Sequence, residues 1–117
     1  MYIGPVSYDL AVWEGPLPAS DAEAAVEFER RMDAASQEQS PASPLIQQLV
    51  TQLTDRWPDD SESSPWSDSP LIGNANGTIL YLGLRPSHAE AGVASVANGA
   101  ARLGLICFDP QDGMMLN

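Results

Sequence analysis

Lysine is missing from this chain, and arginine supplies all 5 of its basic side chains, against 16 aspartates and glutamates and a formal net charge of -11. Without lysine there is no phosphate-binding P-loop, whose lysine must reach the outer phosphates of a nucleotide. Gly73, Gly77, Gly83 and Gly92 make no other phosphate-cradling pattern. An acidic surface repels nucleic acid phosphates and anionic lipid alike, so neither nucleic acid nor membrane is an expected partner. Cysteine is reduced to Cys107, which excludes an internal disulfide. Its neighbours Ile106 and Phe108 mark a thiol packed in a strand, and a reducing compartment, the cytoplasm, is the expectation. Histidine is reduced to His88. There is no His/Cys cluster of the kind that binds zinc, so neither metal nor cofactor is expected. No apolar run approaches the roughly 18 residues that cross a bilayer. The opening MYIGPVSYD has neither the basic nor the apolar region of a secretory leader.

What is present is an ordinary apolar content of 44% in 117 residues, enough for one core. A single α+β domain spanning 1–117 follows from the patterning. Residues 7–15, SYDLAVWEG, read as a strand. Apolar side chains fall on both of its faces, Leu10 and Val12 against Ala11 and Trp13, which fits a central position. Ser20 with Glu23 forms a capping box, and Ala25, Phe28, Met32 and Ala35 then recur at helical spacing. Ser43-Pro44 opens a second helix, whose stripe of Leu45, Ile46, Leu49, Leu53 and Trp57 runs to Pro58. The segment 58–70 is acidic and rich in Ser, Asp and Pro, and reads as a mobile loop. Residues 74–77 supply turn chemistry, and 78–84 form a strand. Ser87 and Glu90 suggest another capping box. The stripe Val93, Val96, Ala97, Ala100 and Leu103 makes a third helix that stops at Gly104. Residues 105–108 and 114–116 form strands joined by a turn over 109–113. The order β-α-α-β-α-β-β predicts a two-layer sandwich, with a mixed or antiparallel sheet of about four strands covered on one face by three helices.

Candidates for catalysis are few. His88 lies in the first turn of the third helix with no orienting partner in the pattern, and reads as a surface residue. Cys107 reads as core. The acidic loop lacks the alternating ligands and hinge glycine of a calcium loop. No catalytic or metal-binding residue is assigned, and the chain reads as a binding protein and not an enzyme. Its distinctive feature is an aromatic side chain inside an acidic loop, a makeup common in binding hot spots. Asp59, Asp60, Glu62, Trp66 and Asp68 are accordingly the candidate partner-binding residues.

Four stretches, SYDLAVWEG, SPLIQQLVTQL running on to WPDD, the Trp66 loop leading into TILYLGL, and LGLICFDPQDG, together resemble a group of small bacterial proteins found beside polymorphic secreted toxins. The resemblance implies a cytoplasmic immunity protein that binds and occludes a cognate toxin, itself expected to be basic, and that is a monomer or weak homodimer. It carries over no catalytic positions. Two other readings stand beside it. One is a structural or regulatory subunit that self-associates, with Met114 and Met115 packed on another copy. The other is a small ligand-binding domain with a pocket under the Trp66 loop.

Overall fold

The computed structural model describes residues 8–117. Ser7, the first residue of the expected strand, and most of the N-terminal stretch tested for a leader lie outside the described residues. The fold is α+β. Strand β1 (Tyr8–Glu14) runs through the middle of an open antiparallel sheet of 5 strands. It is flanked by β3 (Ile79–Leu84) and β4 (Leu105–Asp109). The outermost strands are the short β2 (Ala75–Asn76) and β5 (Met114–Met115), giving the order β2-β3-β1-β4-β5.

The helices are α1 (Asp21–Gln37), α2 (Pro44–Arg56) and α3 (Ala89–Arg102). They do not share one face of the sheet, which corrects the two-layer expectation. Leu10 and Val12 of β1 join a core with Ile46, Leu49 and Leu53 of α2 and Val96 and Ala100 of α3. Ala11 and Trp13, on the opposite face, join a second core with Ile79, Ile106, Phe108 and the α1 residues Ala24 and Phe28. The cause is the period-2 geometry of the strand: with apolar side chains on both faces of β1, each face needs its own cover. Burying one Leu or Phe is worth about 1.5–3 kcal/mol, so a bare second face would forfeit several such contributions.

Local chemistry sets most of the element ends. Ser20 Oγ accepts from the Glu23 amide at 3.2 Å, and the Glu23 carboxylate reaches back to the Ala19 amide at 3.1 Å. Ser43 Oγ accepts from the Ile46 amide at 3.4 Å, with Pro44 in the first turn of α2. The capping box expected at Ser87 and Glu90 does not form. A 3-10 turn over Pro86–His88, closed by the His88 amide on the Arg85 carbonyl at 2.9 Å, leads into α3. His88 then stands at the cap, and Ser87 Oγ lies 2.9 Å from His88 Nδ1. The extra strand relative to the sequence expectation is β2. It folds back on β3 through Gly77, whose φ of 59° is a conformation that side chains rarely adopt.

The sheet edges are finished by side chains. Past β5, the Asn117 carboxamide accepts from the Cys107 amide at 2.9 Å and donates to the Leu105 carbonyl at 2.7 Å, as a further strand residue would. Gln111 does the same for Asp9, accepting from its amide at 2.7 Å and donating to its carbonyl at 2.8 Å. Asn76 closes the end of α1, donating to the carbonyls of Ala35 and Glu38 at 3.0 and 2.9 Å. Exposed strand edges invite pairing with other chains, and satisfying them internally removes that hazard.

Candidate functional site

The acidic loop begins where α2 ends and is fastened at several points, so the expectation of a mobile segment is replaced by an ordered one. Trp66 forms an antiparallel bridge with Leu84. On either side, the Ser67 amide donates to the Gly83 carbonyl at 2.9 Å and the Arg85 amide to the Pro65 carbonyl at 2.7 Å. The loop thus covers the outer edge of β3 beyond the reach of β2. Arg85 also donates through Nη1 to the Glu62 carbonyl at 3.0 Å.

The five candidate residues separate by role. Trp66 is 2% exposed and belongs to the core on the α2/α3 side of the sheet. Its Nε1 donates to the Trp57 carbonyl at 2.8 Å. This corrects its assignment as a contact residue: the ring anchors the loop from inside, because pairing with Leu84 turns it toward the core. Asp59 is half-buried, and its carboxylate accepts from the Leu71 amide at 2.7 Å, closing the far end of the loop. Asp60, Glu62 and Asp68 remain exposed and present their charge to solvent from a fixed backbone.

Beside the loop lies a groove of about 420 Å³ whose lining includes Ala42, Val50, Thr51, Thr54, Asp59 and Ile72. Ile72 is 40% exposed, unusual for an isoleucine next to a buried Leu71. It sits in a 3-10 turn over Leu71–Asn74, which the Asp59 bond starts. Sequence reasoning passed over Ile72. The only available signal was an isoleucine set among Pro70, Gly73 and Asn74, where turn residues are usually polar. Apolar surface and carboxylate thus meet in one groove.

The remaining acidity is not confined to this loop. Asp21, Glu23, Glu27, Glu29 and Asp33 lie on α1, on the opposite side of the sheet. Among pairs of described residues, the ion pairs within 4.0 Å both belong to Glu27, which meets Arg30 at 2.6 Å and Arg31 at 2.5 Å. The hydrogen bond from Arg30, helped by Arg31 and opposed by burial, pulls the Glu27 carboxyl down to about 2. Arg31 continues inward, donating to the Glu14 carbonyl at 2.8 Å and lying 5.9 Å from the centre of the Trp13 ring. It serves the fold and leaves little cation exposed.

The groups that could carry chemistry are held in structural roles. The Cys107 thiol is fully buried, and burial, with Asp109 adding to it, pushes it up to about 12, far from a reactive thiolate. Asp109 is also buried. It accepts from the Tyr8 hydroxyl, from the Gln111 amide at 2.9 Å and from the Asp112 amide at 3.2 Å, organising the turn into β5. The hydrogen bond to Asp109 and burial push the Tyr8 phenol up to about 12. Among the described residues, His88 Nδ1 meets only the neighbouring Ser87 hydroxyl. Among the described residues, no group of three or more His, Cys, Asp or Glu side chains is placed to hold a metal ion, and no helix is long and apolar enough to cross a membrane.

No protein family, curated protein or solved structure matches this chain.

Proposed function

We propose that this chain is a non-catalytic binding protein that docks a basic protein partner on the acidic loop and the groove beside it. The role implied by the sequence resemblance, occlusion of a cognate secreted toxin in the cytoplasm, is the specific form of that proposal. The observation that carries it is the meeting of Asp59 with the 40%-exposed Ile72 in the 420 Å³ groove, at the start of a loop whose Asp60, Glu62 and Asp68 are exposed.

Each part has a physical task. Unpaired carboxylates attract a cationic surface over about a Debye length, roughly 8 Å at physiological salt, and speed the encounter. Long-range charge alone leaves a complex short-lived, because residence time comes from desolvated anchors. Ile72 and the groove supply apolar surface for such an anchor. The loop is already fastened by Trp66 and Asp59, so little ordering entropy is lost on binding.

Co-expression with the protein encoded next to it tests the reading. A stable complex and rescue of growth are expected, and reversing Asp60 and Glu62 to Lys slows association at least tenfold and flattens its salt dependence. A partner that binds equally well after charge reversal, or co-expression that gives neither complex nor protection, overturns it.

A further inference from the structure

The seam between α2 and α3 gathers two of the chain's 5 basic side chains into one cavity. The lining of this groove, about 440 Å³, includes Arg56, Arg102, Gln52, Ser95 and Asn98. We infer that this seam is a binding site for a small oxyanion carrying at least two negative charges, a phosphate ester or a polycarboxylate, held between Arg56 and Arg102.

Three observations converge. The first is what the arginines do elsewhere. Arg30 and Arg31 are held by Glu27, and Arg85 donates to the Glu62 carbonyl. Arg56 and Arg102 have no carboxylate within 4.0 Å among the described residues, although the molecule carries an excess of acid. Each stands in the last turn of its helix. The helix dipole favours a cation at each of these helix ends but does not account for both opening onto one groove.

The second is the chemistry between them. Gln52 and Asn98 bring carboxamide donors and Ser95 a hydroxyl. With two guanidiniums, this is a donor-rich lining, and it suits an acceptor-only ligand. The guanidinium fork matches carboxylate and phosphate oxygens in pairs. A volume of about 440 Å³ lies within the roughly 300–1,000 Å³ range of small-molecule sites.

The third is preorganisation. The Arg56 guanidinium lies 5.1 Å from the centre of the Trp57 ring. Trp57 is in turn fixed by its Nε1 on Ser95 Oγ at 3.4 Å and by its carbonyl on Trp66. A stacked arginine loses less freedom on meeting a ligand than a free one. The seam itself is rigid because Gly99 lets α2 approach closely: a Cβ there would come 3.0 Å from Leu49 Cδ1. The groove lies on the α2/α3 side of the sheet, opposite α1.

The test is calorimetric titration of the full chain with pyrophosphate and, separately, citrate, at ionic strength matched with sodium chloride, followed in parallel by the indole and Arg Nε signals in a ¹⁵N spectrum. One-to-one saturable binding of at least one probe is expected, with shifts at the Trp57 indole and Arg56 Nε and none at the Trp13 indole. Arg56→Gln and Arg102→Gln each weaken it at least tenfold, and Arg30→Gln, on α1 across the sheet, leaves it unchanged. Preference for pyrophosphate or for citrate assigns the phosphate or the carboxylate form of the ligand. Absence of saturation with both probes overturns the inference, as does binding that survives both substitutions or that Arg30→Gln weakens equally.

Discussion

Replacing Trp13 and Trp66 one at a time by Phe makes the same chemical change in two buried sites and should give different losses of stability. Both rings are buried, at 0% and 2% exposure, and both substitutions remove the fused part of the indole. That loss of volume costs about 1–2 kcal/mol in either core, by transfer and cavity terms together. The sites differ at Nε1. Trp66 Nε1 donates to the Trp57 carbonyl at 2.8 Å, so Phe forfeits a formed hydrogen bond and leaves that carbonyl to find another partner, adding about 1–2 kcal/mol. Trp13 Nε1 is buried with no hydrogen-bond partner among the described residues, so Phe relieves a desolvated donor that costs about 1–3 kcal/mol in place. Trp13→Phe also weakens the contact of Arg31 with the ring, at about 0.5 kcal/mol. Trp66→Phe is therefore expected to lose about 2–4 kcal/mol and Trp13→Phe to fall near zero, a gap of about 2–4 kcal/mol. Urea unfolding followed by far-UV circular dichroism reads it. With a slope of about 1–3 kcal/mol per molar, the two midpoints should separate by about 0.7 molar or more. Equal losses would refute the account of Nε1 in both sites, and a Trp66→Phe variant of unchanged stability with a weakened partner complex would restore Trp66 as a contact residue.

Gly92→Ala should destabilise despite the helix propensity gained, because the new Cβ would stand 2.8 Å from Leu84 Cδ2 and 3.1 Å from Pro65 Cβ; a net loss of about 1–3 kcal/mol by thermal or urea unfolding is expected, and a gain would show that the loop yields. Asp59→Asn removes the charge from the bond to the Leu71 amide and should cost about 1 kcal/mol, whereas Asp60→Asn, on an exposed side chain with no bond to hold, should leave the unfolding midpoint unchanged; the reverse ranking would contradict the division of roles in the loop. The Cys107 thiol and Tyr8 phenol, both raised to about 12, favour their protonated forms in the folded state, so their contribution is complete below about pH 9 and is lost as pH rises toward 12; Cys107→Ala should flatten that alkaline slope, and an unchanged slope would remove the thiol from it. On the acid side Glu27 is lowered to about 2, so the stability it supplies is present above about pH 4.5 and disappears as pH falls toward 2; Glu27→Gln should reduce that dependence in acid titrations monitored by circular dichroism.

The parts of the fold written in local sequence were readable as sequence. Ser20 and Ser43 cap the helices they announced, and the apolar stripes of α1 and α2 face the cores they form. The alternation in β1 held the layer arrangement as well, since Leu10 and Val12 on one face and Ala11 and Trp13 on the other need separate covers. What escaped reading depends on partners far along the chain. The loop composition describes a solvated segment, and nothing within it reveals that Trp66 pairs with Leu84 and turns inward. Asn76, Gln111 and Asn117 have the composition of turns and ends, yet each carboxamide substitutes for a backbone partner elsewhere. Three of the five candidate binding residues, Asp60, Glu62 and Asp68, keep exposed side chains, while Trp66 and Asp59 hold the loop that presents them. The Arg56 and Arg102 groove was invisible for the same reason: the two residues line one groove only when α2 and α3 pack side by side.

These features bear on one another through the energetics of an acidic surface. A net charge of -11 with ion pairing concentrated at Glu27 leaves the folded chain under self-repulsion, which the unfolded chain relieves by expanding. The fold counters this with uncharged devices: helix caps, carboxamides on the sheet edges and two separate apolar cores. A stabilising scheme that relied on more arginine pairs would have cancelled the field on which the proposed attraction of a cationic partner depends. Holding the carboxylates on a loop tied down by Trp66 and Asp59 keeps the repulsion present in the free protein and available for release on binding. A basic partner of the kind proposed would gain from contact and also from removing that repulsion, and by linkage the complex would then unfold at higher denaturant than the free chain.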